Sequence, residues 1–160
     1  MFLKPDRTRL HRIAEKYLPE NVTTILIKNY RNSCTEYAGE GNIFIKHAPI
    51  SSYQSLIAFL HECAHVKLQH KITGNIFGKI FYAAKTSEIT EQDINEMATY
   101  LRNEKQAWDY TEKIVIQHRI PKFAWNYVLM RSRENTKKVL QGLCIIRGWE
   151  RHKFDHLVEW

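Results

Sequence analysis

The apolar positions of this chain change period along its length, and the changes predict its elements. Leu10, Ile13, Ala14 and Leu18 recur at helical spacing with Arg9, Arg12 and Lys16 opposite, which predicts a short amphipathic helix over 7–18 ended by Pro19. From Val22 to Lys28 the chain is rich in β-branched and aliphatic residues, and Asn29 to Ser33 is turn-like. Cys34 to Ala38, the turn Gly39-Glu40-Gly41-Asn42 and Ile43 to Lys46 complete what reads as a three-stranded antiparallel meander. A longer helical stripe follows, with Tyr53, Leu56, Ile57, Leu60, Ala64 and Leu68 at spacings of three and four. Ser51 serves as its expected N-cap, with Gln54 completing a capping box, and no Gly or Pro interrupts the run before Gly74.

The segment 71–90 is broken by Gly74 and Gly78 and reads as a loop or short helix covering whatever lies beneath. A second long helix is predicted from about Glu91 to Gln117, capped by Thr90, with Ala98, Leu101, Ala107, Tyr110 and Ile114 on its apolar side. Pro121 stops what precedes it, and 122–132 and 134–148 read as two further helices. The expectation is an α+β fold in one domain over 1–160, with a core at about 8–115 and a helical extension at about 116–160.

On the first long helix stands His61-Glu62-Cys63-Ala64-His65, an H-E-x-x-H pattern. Residues four apart share a helix face, so both imidazoles can reach one ion. Glu62 lies about 100° round the helix and can address a water rather than the metal. Two neutral nitrogen ligands, a carboxylate and a place for water are the minimal apparatus of a zinc hydrolase. The bland alternative is a buried helix with two incidental histidines. His70 lies about 140° round a continuing helix from His65 and is expected to face solvent. Leu68 and Lys71 stand where a metzincin needs Gly and His, which excludes that subclass. A third ligand is expected from the second long helix, which offers Glu91, Glu96, Glu104, Asp109 and Glu112.

Composition adds less. No apolar stretch approaches the roughly 18 residues that span a bilayer, and the N-terminus has no signal-like segment, so the expectation is a cytoplasmic protein with no membrane partner. Cys34, Cys63 and Cys144 read as reduced thiols. Residues 113–153 hold ten Lys/Arg against Glu134 and Glu150, more than the whole-chain charge of +7. That surplus suggests an acidic partner, either nucleic acid or an acidic protein surface, or else a solvated helical face. Arg131, Arg133, Lys137 and Lys138 would cluster near a helix start, with Trp125 and Tyr127 just upstream available for base stacking or core.

Glu104-Lys105-Gln106-Ala107-Trp108-Asp109-Tyr110 places an E-x-x-A, with an aromatic at the seventh position, on the helix after H-E-x-x-H. With the preceding strands, this resembles the compact gluzincins of the ImmA/IrrE type over roughly residues 8–115. The resemblance implies a minimal zincin-like domain: a small sheet packed on the H-E-x-x-H helix and on a second, ligand-bearing helix. It implies zinc held by His61, His65 and Glu104, with Glu62 as general base. It further implies hydrolysis of a peptide bond in a cytosolic protein, such as a repressor-type regulator of a mobile element or phage. Substrate would lie extended along the sheet edge, beside Ile43–Lys46. The alternative is a DNA-associated or non-catalytic zinc protein that uses its basic C-terminal third. Two positions depart from the family pattern. Trp108 stands where Asn or Asp is usual and Thr111 where Ala is, so a carboxylate orienting a histidine is either missing or supplied by Asp109. Tyr100, Tyr110 and His118 are candidate transition-state donors.

Overall fold

The computed structural model describes residues 5–38, 41–70 and 91–147. Its element order is α1 (Arg7–Tyr17), β1 (Val22–Leu26), a 3-10 turn (Tyr30–Asn32), β2 (Cys34–Ala38), β3 (Asn42–His47), α2 (Tyr53–Lys67), α3 (Glu91–Gln117) and α4 (Lys122–Arg147). The architecture is α+β, with a three-stranded sheet and four helices among the described residues. The expected loop at 71–90, the Thr90 cap and the Cys144 side chain lie outside the described residues. None of the described helices is long and apolar enough to cross a membrane.

The sheet is not the expected meander. Its strand order is β1-β3-β2, with β3 antiparallel to β2 and parallel to β1. The reason lies in burial. Ile45 and His47 of β3 are buried, whereas β1 is exposed along most of its length and β2 buries only Thr35 among its described side chains. The strand with most to bury takes the centre, and the link through the 3-10 turn spans it. Ile43–Lys46 is therefore paired on both sides and offers no edge, contrary to the docking expected there.

Helix α2 is the centre of the molecule. It packs against α1, β2, β3, α3 and α4, so every residue from Ser55 to His65 is buried. The predicted stripe is only part of this: Leu56, Ile57, Leu60 and Ala64 are buried, Tyr53 is half-buried and Leu68 is 38 % exposed. The helix is also shorter than its uninterrupted pattern suggested, because Leu68 and Gln69 turn the chain back. Its N-cap is Ser52, one residue later than expected. The Ser52 hydroxyl accepts from Ser55 N–H at 3.1 Å, and Ser55 Oγ accepts from Ser52 N–H at 3.1 Å. A serine replaces the longer Gln54 as the reciprocal partner, since a hydroxyl three residues on reaches the same donor.

On α3 the buried positions are Met97, Leu101, Glu104, Ala107, Trp108, Thr111, Ile114 and Val115. The inner stripe therefore runs through Trp108 and Thr111 rather than through Ala98 and Tyr110, which are only half-buried. The two helices expected over 122–148 form one, α4, because nothing around Arg133 breaks the backbone. Its Trp125 packs edge-on against Trp108, with ring centroids 5.7 Å apart, in the same core as Leu10, Ile13, Leu60 and Val115.

The cap assignment gives a test by thermal unfolding. Ser52→Ala is expected to lower stability by about 1 kcal/mol, whereas Ser51→Ala at the exposed neighbour should stay within about 0.5 kcal/mol of wild type.

Candidate metal centre

His61 and His65 lie on α2 and face α3, where Glu104 occupies the inner stripe between Leu101 and Trp108. The helix–helix contact brings the three together. His61 Nε2 is 3.2 Å from Glu104 Oε2, His65 Nε2 is 3.2 Å from Glu104 Oε1, and the two Nε2 atoms are 3.1 Å apart. All three residues are buried and form a group able to hold a metal ion. A tetrahedral ion with nitrogen and oxygen ligands at about 2.0–2.1 Å needs ligand atoms about 3.3 Å apart, so the triangle fits an ion of zinc's size with little adjustment. Glu96, the rival ligand, is not in the group; its Oε1 accepts from Gln92 at 3.1 Å.

Electrostatics follow from burial. Loss of solvent would raise the Glu104 carboxyl, but the His65 and His61 imidazoles outweigh it and hold the group well below the usual carboxylate range. Burial would likewise lower His65, and the Glu104 charge raises it above its ordinary value. Tyr100, half-buried one turn before Glu104, hydrogen-bonds that carboxylate. Desolvation and the same charge hold its phenol well above its ordinary value. Of the three candidate donors only Tyr100 reaches the site. Tyr110 packs against the core, and His118 Nε2 lies 3.0 Å from the Tyr17 hydroxyl.

Each histidine is oriented differently. Trp108 stacks on His61, with ring centroids 3.9 Å apart and planes 20° from parallel. Trp108 thus holds the ring by its face, and His61 Nδ1 has no hydrogen-bond partner among the described residues. Asp109 supplies nothing here; it is exposed and paired with Lys105 at 2.8 Å. His65 Nδ1 instead lies 3.0 Å from His70 Nδ1, and His70 Nε2 lies 3.1 Å from Gln106 Oε1. His70 is only 6 % exposed, contrary to expectation, because α2 ends before it.

Glu62 is buried, one step round α2 from the triangle. Its Oε2 accepts from the Thr35 hydroxyl of β2 at 2.9 Å, and that hydroxyl also lies 3.2 Å from the Glu62 carbonyl oxygen. Thr35 is thus the sheet's contribution to the site. Sequence could have flagged it as the inward position between Cys34 and Glu36 by strand alternation. His70 and Gln106 had no such signal.

The triad and Glu62 line a cleft of about 1000 Å³ between β2, α2, α3 and α4. At its rim Arg31 donates to the Tyr127 hydroxyl at 3.2 Å, and the Arg131 guanidinium lies 5.7 Å from the centre of the same ring. Arg131, Arg133, Lys137 and Lys138 lie in the middle of α4, so no helix start reinforces them. Trp125 is core and Tyr127 is engaged by arginine, which leaves neither in the stacking role considered from sequence. Cys63 is buried, burial pushing its thiol far above the ordinary range, and Cys34 is half-buried at the cleft; both are free thiols.

Comparison with protein-family models, curated proteins and solved structures finds no match for this chain. The site therefore rests on its own geometry.

Two outcomes are expected of metal titration. One divalent ion should bind per chain, lost in His61→Ala and Glu104→Ala and kept in Glu96→Ala; retention in Glu104→Ala with loss in Glu96→Ala would reverse the assignment. Because His65 is raised, it keeps its proton to higher pH, so calorimetry should show affinity falling as pH drops through that raised value, with a proton released on binding. In metal-free protein the signs differ. The raised His65 stabilises fully below about 6.5 and loses its contribution as pH rises, whereas the depressed Glu104 stabilises above about 4.5 and loses its contribution in acid. The pair then contributes most between those values, and Glu104→Gln should flatten that part of the stability profile.

Proposed function

We propose that the protein is a zinc-dependent metallopeptidase of minimal zincin-like fold, acting on a peptide bond of a cytosolic protein. The observation that supports this best is the pairing of a buried His61–His65–Glu104 triangle with a separate carboxylate, Glu62, on the wall of an open cleft. A purely structural zinc site needs a fourth protein ligand; among the described residues the group offers three, the number typical of catalytic zinc. The substrate class implied by the resemblance to ImmA/IrrE-type gluzincins, a repressor-type regulator, is part of the proposal.

Zinc held by these three residues would supply a Lewis acid that polarises a carbonyl and lowers the pKa of water towards about 7. The remaining work belongs to the chain. Thr35 holds Glu62 Oε2, leaving the other carboxylate oxygen to take a proton from the attacking water and pass it to the departing amine. Thr35 also ties that carboxylate to β2, an edge strand among the described residues, so an extended peptide beside β2 would lie next to the base. Tyr100 fixes the Glu104 carboxylate from the cleft side. Arg31 and Arg131 put positive charge on one wall of the cleft, with Glu91 and Glu96 on the α3 wall, which suits a substrate whose acidic group lies on the arginine side.

Hydrolysis of an unfolded general protein, and of any repressor-like protein encoded beside this one, followed by mass spectrometry, tests the reading. Glu62→Gln should keep its metal and lose about 10²–10⁴-fold in turnover; undiminished cleavage in that variant would refute the assignment of the base. Arg31→Glu should raise KM for an acidic peptide with kcat held, the signature of lost uniform binding. Equal KM for acidic and neutral peptides in wild type would remove the rim's role.

A further inference from the structure

Helix α2 ends in a chain reversal that its sequence does not announce. Gln69 takes a left-handed φ of 53°, its N–H reaches the Val66 carbonyl at 3.0 Å, and His70 N–H reaches the His65 carbonyl at 3.0 Å. This is the Schellman arrangement, which brings the second residue past the cap over the third-last helical residue. Helix α3 ends the same way. Arg119 has φ 50° and Ile120 N–H reaches the Val115 carbonyl at 2.9 Å. There the two residues brought together, Val115 and Ile120, are both apolar and buried, as the motif commonly has them. At the end of α2 the same two positions hold imidazoles, and the apolar contact is replaced by a hydrogen bond.

The bonds form a directed chain. In the amide orientation of this structure Gln106 presents Oε1, which can only accept, so His70 Nε2, 3.1 Å away, carries the hydrogen. A neutral imidazole has one hydrogen, so His70 Nδ1 is the acceptor and His65 Nδ1, at 3.0 Å, must donate to it. In neutral His65, the form that binds a metal, Nε2 then keeps its lone pair, and it is this atom that lies 3.1 Å from His61 Nε2 and 3.2 Å from Glu104 Oε1. The opposite direction would place a hydrogen on Nε2 and spoil the donor triangle.

We propose that His70 and Gln106 are positioning residues of the metal centre, fixing the tautomer and ring plane of His65 so that its Nε2 faces the ion. The inference rests on the metal-centre reading. It concerns His65 alone, since the ring of His61 is held by Trp108. Partners of this kind typically change metal affinity 10–100-fold.

Zinc affinity, measured by competition with a chromophoric chelator, and long-range proton–nitrogen spectra of the zinc-loaded protein test it with wild type, His70→Ala, Gln106→Leu and Gln106→Glu. His70→Ala should bind zinc about 10–100-fold more weakly, and Gln106→Leu should be weakened in the same direction. The carboxylate introduced by Gln106→Glu can likewise only accept, so that variant should bind at least as tightly as wild type. The His65 Nδ1–H signal should resist solvent exchange in wild type and Gln106→Glu, and exchange fast in the other two. Gln106 is exposed, so its variants read out the chain of bonds even if His70→Ala fails to fold. Wild type binding one zinc, with equal affinity and equal His65 exchange in Gln106→Leu and Gln106→Glu, would overturn the proposal. Wild type binding no zinc would overturn the metal-centre reading itself, and the proposal with it.

Discussion

A carboxylate buried between two imidazoles, at the contact of α2 with α3, is the constraint around which this molecule is arranged. Glu104 lies on the inner stripe of α3 and faces His61 and His65 across the interface. An unpaired carboxylate there would cost several kcal/mol, and the two imidazoles, with the Tyr100 hydroxyl, compensate it. Apolar side chains of similar size would serve stability as well or better. The triangle is therefore poor material for a core and good material for a ligand site. On its core side Leu101 and Trp108 flank Glu104 and Ala64 packs beside the histidines, while the other side of the triangle opens on the cleft with Glu62, His70 and Tyr100.

That constraint explains why α2 is buried on all sides rather than along one stripe. The proposed site takes its metal donors from one face and its base from another. His61 and His65 point to α3, while Glu62, one residue on, is held by Thr35 from the sheet. A surface helix would leave one of these groups in solvent. Packing against α1, the sheet, α3 and α4 together gives each its own partner.

Legibility in sequence followed the range of the interactions. The positions of helices and strands were readable to within a few residues, because they depend on local periodicity: α1 ends one residue short of the expectation, β1 two residues short, β2 is unchanged, β3 extends one residue at each end and α3 has the expected bounds. His61, His65 and Glu104 are brought together as the motifs implied. Strand order was not readable, since it depends on which strand buries most, a property of the assembled sheet. His70 was misplaced for a sharper reason. Periodicity assumes that a helix continues until Gly or Pro, but here Gln69 takes the left-handed position that usually marks itself with glycine. Gln106 was invisible for the same reason, being meaningful only once His70 has turned back. Thr35 was not singled out; strand alternation could have marked it as an inward position, though not its partner.

The two histidines show how one site can tolerate an unusual residue. Trp108 occupies a position where a hydrogen-bonding side chain would be expected to orient a ligand, and it cannot accept a bond from imidazole. It orients His61 by stacking, and its far edge is braced by Trp125 of α4. Stacking fixes a ring plane but leaves the choice of tautomer open, whereas a hydrogen-bond chain fixes both. The site thus has one ligand set by packing and one set by directed bonds, and Glu104 bridges them through its two oxygens. Trp108 belongs to the core shared by α3 and α4, so the indole that stacks on His61 also packs against the helix that carries Arg131 at the cleft.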